Sequence, residues 1–180
     1  MTVDIAALDA MPAGEFVSAV GPLFEGAPGF LYRLAAARPY GSPACLFERA
    51  REIAQAMPEP LKVELVDAHP RLGAPPATVS EMSFREQGYD AEAAANLEDE
   101  AARERERVAA DLDRLNQEYE ARFGFRFCVF VNGRSRPELV PVLEAAINAD
   151  RDAEIRRALV DVVAIARDRA RKHEADAGVA

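Results

Sequence analysis

The chain has 180 residues, 49% of them hydrophobic and 29% charged, with a net charge of −9. That balance excludes a disordered chain and leaves enough apolar material for a buried core. The acidic surplus argues against nucleic acid, because phosphate neutralisation needs a basic face. No apolar run approaches the roughly 20 residues that span a bilayer.

The first ten residues, MTVDIAALDA, carry no cationic stretch and are not read as a signal peptide. Proline then sets the rhythm of the first half. Helices are predicted over Pro12–Ala19, Pro28–Ala37, Pro43–Met57 and Pro60–Ala68, each opening on a proline in the first turn, where its missing N–H costs nothing. Pro70 pushes His69 out of the helical region and stops the fourth of these. A connector rich in proline and glycine follows, HPRLGAPPATVS, and then SEMSFREQ begins another helix with Thr78 or Ser80 as its cap.

From Leu97 to Arg122 the chain is highly charged, and RERER at 103–107 reads as a solvated helix surface. Ala101, Val108, Leu112, Leu115 and Tyr119 give that helix one apolar stripe, and Gly124 ends it. FGFRFCVFV is too β-branched and aromatic for a helix and predicts an extended segment near residues 125–131. Helices over Pro137–Asn148 and Asp152–Lys172 complete the chain. The expected fold is all-α: a compact single-domain multi-helix bundle over residues 1–174, with a short flexible tail at 175–180. Cys45 and Cys128 lie far apart among apolar neighbours and read as buried thiols of a cytoplasmic protein. Nothing has the clustered spacing of a metal site.

Three polar features break the solvent-facing pattern. In the last helix Ile155, Leu159, Val162 and Ala166 form an apolar stripe whose next position is Arg169. A charge there needs an anion or a hydrogen-bond partner, unless it snorkels at the helix end. Ser83, Glu86 and Gln87 share one helical face, where they could recognise a ligand rich in amide groups. Ser83 and Glu86 also have capping-box spacing, and on spacing alone capping is the better reading. His69 sits on a bend stiffened by Pro70, either as a helix terminator or as a group titrating near neutrality. The pattern alone leaves both readings of His69 open.

Several stretches together resemble the 2-oxo-4-hydroxy-4-carboxy-5-ureidoimidazoline (OHCU) decarboxylase family of purine degradation. They are GEFVSAVGPLFEGAP near the start, AAARPY at 35–40, AHPRLG at 68–73, SFREQ at 83–87, LNQEYEARFGFRFCV at 115–129 and EIRRALVDVVAIARDR at 154–169. They cover nearly the whole chain in the family's order, and S-x-x-E-Q with L-N-x-x-Y-x-x-[KR]-F-G-F is the most specific part. The resemblance implies a helical, homodimeric, cofactor-independent carboxy-lyase acting on a small molecule and converting OHCU to (S)-allantoin in urate breakdown. It implies that His69, Glu86 and Arg169 are catalytic. It places Pro70, Ser83, Phe84, Arg85, Gln87 and the stretch Phe127, Cys128, Val129, Phe130 and Val131 against the substrate, with no metal and no membrane or nucleic-acid partner.

The chemistry fits those residue types. Loss of CO2 from the carbinol carbon sends two electrons into the neighbouring imine, and the resulting enol must be protonated on one face. Histidine, with an ordinary pKa of about 6.5, suits the proton transfer, arginine suits an anionic group, and a carboxylate suits ureido N–H donors. The sequence departs from the family in three places. Arg71 stands where aspartate is common, the A-G-L stretch after E-Q is replaced by GYDAEAAANL, and Ala146 replaces a frequent arginine of the penultimate helix. These departures keep two alternatives open: the same mechanism on a related ureido or carboxy-imidazoline substrate, and a non-catalytic helical binding module.

Overall fold

The computed structural model of the chain describes residues 4–90 and 99–177. The fold is all-α, and among the described residues no β-strand occurs. The chain divides into two compact units, residues 1–69 with 155–180, and residues 70–154.

In the first unit α1 (Ile5–Ala10) is capped by Asp4, whose carboxylate accepts from the Ala7 N–H at 3.2 Å. After Pro12 come α2 (Ala13–Val20) and a 3-10 turn (Gly21–Phe24). Glu25 and Gly26 then reverse the chain at φ 53° and 80°. Glutamate rarely takes such a φ, so the turn demands something of this residue beyond its backbone.

Pro28 opens α3 (Pro28–Ala36), Ser42 and Pro43 open α4 (Pro43–Ala56), and α5 (Glu59–Asp67) follows Pro58. The proline-based predictions therefore hold to within a residue or so. Gly29 lets α3 and α5 approach closely. A Cβ there would lie 2.7 Å from Leu61 Cδ2, while its N–H donates to Glu64 Oε1 at 2.8 Å.

The core of this unit is built from Phe16, Phe24, Phe30, Leu34 and Leu46, together with Leu159, Val162 and Ala166 of the last helix. AAARPY serves as a clamp. Arg38 donates from Nε to the Ala35 carbonyl and from Nη1 to the Leu8 and Met11 carbonyls, and its guanidinium lies 4.7 Å from the Phe16 ring centre. One expectation fails here. Cys45 is exposed rather than buried. It falls in the first turn of α4, where its N–H bonds the Ser42 cap, on the face that the apolar residues of that helix do not occupy.

In the second unit the 3-10 turn Pro76–Thr78 leads to α6 (Glu81–Glu86), capped by Ser80, whose hydroxyl accepts from the Ser83 N–H at 3.2 Å. Ser83 is thus inside the helix and buried, which overturns its reading as a cap. A capping box is formed instead by Ser135 with Glu138. The insertion-like stretch Ala91–Glu98, which includes the predicted start at Leu97, lies outside the described residues.

α7 (Asp99–Phe123) is the predicted long helix. Its stripe is buried at Leu112, Leu115 and Tyr119, half-buried at Val108 and exposed at Ala101. Gly124, at φ 76°, ends it, and residues 126–131 lie outside any helix, as the composition predicts, without forming a strand. The rings of Phe123, Phe125 and Phe127 surround Tyr119 at 4.6, 5.7 and 5.3 Å between centroids. The Tyr119 hydroxyl donates to buried Glu154 at 2.9 Å. α8 (Arg136–Ile147) packs on α7. α9 (Arg151–Ala177) belongs to the first unit from Ile155 onward and runs past the predicted Lys172 and into the predicted tail.

Candidate active site

His69 follows α5, which ends because Pro70 cannot continue it. The imidazole turns back on its own helix and is only 3% exposed. Nδ1 lies 3.1 Å from the Leu65 carbonyl oxygen. A carbonyl can only accept, so Nδ1 carries the hydrogen and the neutral ring presents its lone pair at Nε2. Burial pulls the His69 pKa down to about 4, Arg169 pulls in the same direction, and Glu25 and the Leu65 bond oppose them. The expectation of a histidine titrating near neutrality is corrected by this. The ring is neutral throughout the physiological range, because its charged form would have to shed water beside a guanidinium.

Arg169 is also 3% exposed, well before the end of α9, so it does not snorkel. Nη1 donates to the Pro22 and Leu23 carbonyls at 3.2 and 3.4 Å, and Nη2 donates to Glu25 Oε1 at 2.8 Å. The anion demanded by the apolar stripe is therefore Glu25, a residue that sequence reasoning did not single out. Its only sequence signal was a charged residue between Phe24 and Gly26 inside the stretch GEFVSAVGPLFEGAP. The structure brings His69 and Arg169 into one electrostatic group within the first unit. Glu86 and the rest of S-x-x-E-Q belong to the second.

The second unit spends its motif residues on holding the segment that follows His69. Gln87, the residue after α6, accepts from the Gly73 N–H at 2.7 Å through Oε1, and donates through Nε2 to the Arg71 carbonyl at 3.3 Å. Asn116 donates through Nδ2 to the Leu72 carbonyl at 2.9 Å, and the Tyr89 hydroxyl donates to the Ala74 carbonyl at 2.6 Å. Gly73 has φ 78°, and a Cβ there would come within 3.0 Å of Leu112 Cδ1. Arg71 forks onto Glu120, with Nε on Oε1 at 2.6 Å and Nη2 on Oε2. That fork, which raises the Arg71 pKa further, accounts for arginine at this position. The connector is proline- and glycine-rich in sequence but pinned in structure.

The remaining predicted residues are placed as follows. Ser83 is buried, Glu86 is half-buried at the end of α6, and Pro70 is half-buried. The Phe84 ring lies 5.3 Å from that of Tyr89. Arg85 is exposed and paired with Glu81 at 2.5 Å. Phe127, Cys128 and Val129 are buried, while Phe130 and Val131 are half-buried and their carbonyls accept from Arg134 at 2.5 and 3.0 Å.

The family model for OHCU decarboxylase matches residues 9–171. The chain belongs to that family. Among its relatives, the uric acid degradation bifunctional protein PucL of Bacillus subtilis (strain 168) is 31% identical over 90% of this chain, which spans 31% of that protein's length. The 2-oxo-4-hydroxy-4-carboxy-5-ureidoimidazoline decarboxylase of Haloferax volcanii is 27% identical, over 84% of each chain. A crystal structure of OHCU decarboxylase in the presence of (S)-allantoin superposes with a TM-score of 0.62 at 19% identity, covering 86% of this chain and 95% of that one. This last likeness concerns the fold. Within the family's pattern Ala146, in place of the frequent arginine, is buried on α8. No helix among the described residues is long and apolar enough to cross a membrane.

Proposed function

We propose that this chain decarboxylates OHCU to (S)-allantoin in urate degradation, without a cofactor, and that His69 moves the proton. The single observation that carries the reading is the buried His69 ring, whose Nδ1 is held by the Leu65 carbonyl. Its Nε2 is thereby set as a proton acceptor. When the bond to the carboxylate breaks, its electrons form the enol double bond and the imine nitrogen gains the displaced pair. Nε2 then takes the enol hydroxyl proton as the carbonyl forms, the imidazolium returns it to one face of the ureido-bearing carbon, and the nitrogen that gained the pair takes one proton from solvent. The imine is the electron sink, so the carbon skeleton supplies what a cofactor would otherwise provide.

Arg169 gives the substrate anion a positive charge that does not wander, since three of its hydrogen bonds go to Pro22, Leu23 and Glu25. Glu86, with Ser83, is the candidate acceptor for ureido N–H groups. Pro70, Phe84, Arg85, Gln87 and residues 127–131 complete the proposed substrate surroundings. A cytoplasmic homodimer is part of the same reading.

The test generates OHCU freshly from urate and follows chirality by circular dichroism. Wild-type protein is expected to give (S)-allantoin rapidly. His69→Asn is expected to lose rate by about 100-fold or more, the usual worth of general acid–base catalysis, with its thermal unfolding unchanged in cooperativity. An equally active His69→Asn variant would remove the mechanism. The buried Ala146 favours one second reading, a related ureido or carboxy-imidazoline substrate. Racemic product at the background rate, with turnover of such a relative, selects it. Turnover of neither leaves a binding module.

A further inference from the structure

Glu25 ends a 3-10 turn with a φ of 53°, a conformation that asparagine or glycine would hold more easily. Its carboxylate is nevertheless directed inward. It receives Arg169 Nη2 at 2.8 Å, and the two side chains are 13% and 2% exposed. The carbonyls of Pro22 and Leu23, from the same turn, receive Nη1 of that arginine. One turn of chain thus supplies three acceptors to a single guanidinium from a helix more than 140 residues away. Solvation of a structural arginine at a helix end would need none of this.

The consequence reaches His69. Arg169 from α9 and Glu25 from the turn both act on its ring through their charges, and the Leu65 carbonyl from α5 holds Nδ1. Arg169 disfavours a proton on the ring and Glu25 favours it, with the arginine the stronger of the two. An arginine without its carboxylate would leave the imidazole a poorer base. A carboxylate without the arginine would leave it too ready to stay protonated. We propose that Glu25 is a positioning residue for the proposed decarboxylation: it fixes the Arg169 guanidinium and sets the electrostatic balance on the His69 imidazole.

The inference rests on the decarboxylase reading for its kinetics, so the deciding measurement does not use substrate. NMR titration of the His69 ring is compared in wild type, Glu25→Gln, Arg169→Met and the double variant. The expected midpoints rise in the order Glu25→Gln, wild type, double variant, Arg169→Met. Steps of about one pH unit are the ordinary effect of a nearby charge. Glu25→Asp, which keeps the charge on a shorter arm, falls between wild type and Glu25→Gln and serves as the reporter should the glutamine variant not fold.

A Glu25 that matters only for folding would leave Glu25→Gln and Glu25→Asp at the wild-type midpoint, and the double variant at that of Arg169→Met. That result overturns the proposal. In the kinetic arm, Glu25→Gln is expected to lower kcat for OHCU about tenfold, a part of the worth of a well-tuned base, with KM changed far less and Glu25→Asp restoring part of the loss. An unchanged kcat in Glu25→Gln also overturns the proposal. Wild-type protein inert towards OHCU would sink the decarboxylase reading instead, while the order of midpoints would still decide what Glu25 does.

Discussion

Two arginine–glutamate pairs, one in each unit, use the same atoms to different ends. Arg71 and Glu120 form a two-bond fork with side chains 40% and 23% exposed. Water solvates both ions there, so the pair acts as a latch on the connector, and its electrostatic worth is small. Arg169 and Glu25 share a shorter list of bonds to each other, but their side chains are only 2% and 13% exposed and an imidazole lies within their field. The low dielectric makes each charge costly alone and effective at range. Location therefore decides whether a salt bridge is a fastener or a means of tuning a proton.

The largest expected effect comes from breaking the buried pair. Glu25→Ala leaves Arg169 charged and uncompensated, and should cost about 3–5 kcal/mol in urea unfolding. The next effect is in pH dependence. The folded His69 value, about 4, lies below the ordinary 6.5. The stability of the neutral ring is thus fully present above about 6.5 and is lost as pH falls through about 4, a change on the order of 3 kcal/mol. Urea midpoints at a series of pH values should show this fall in wild type and a flatter profile in His69→Gln.

The smallest effect is at the latch. Glu120→Ala should cost about 1 kcal/mol or less, and about 1 M salt should erase most of the difference from wild type. The same salt should leave the cost of Glu25→Ala nearly intact. Equal losses at the two glutamates, or equal salt dependence, would break the comparison.

The elements were readable because their signals are local. Proline at the start of α3 and α4, Ser80 before α6, Gly124 after α7 and Pro70 after α5 each act within a turn of where they stand. The candidate site was readable in part. The stripe on α9 announced that Arg169 needed an anion, and the family motifs drew attention to His69 and Glu86. The misreadings share one cause. Ser83 looked like a cap because its spacing to Glu86 is right, although Ser80 already held that position. Cys45 looked buried because its neighbours are apolar, although helix phase turns it outward.

The amino-acid sequence by itself determined where helices begin and end, which faces are apolar and which family the chain resembles, since hydrogen bonding and side-chain periodicity act over a few residues. Only the tertiary structure decided that Glu25 is the partner of Arg169, that Gln87 and Asn116 hold the backbone after Pro70, and that His69 is neutral. Those outcomes depend on desolvation and on charges separated by long stretches of chain, and neither quantity exists until the segments have packed.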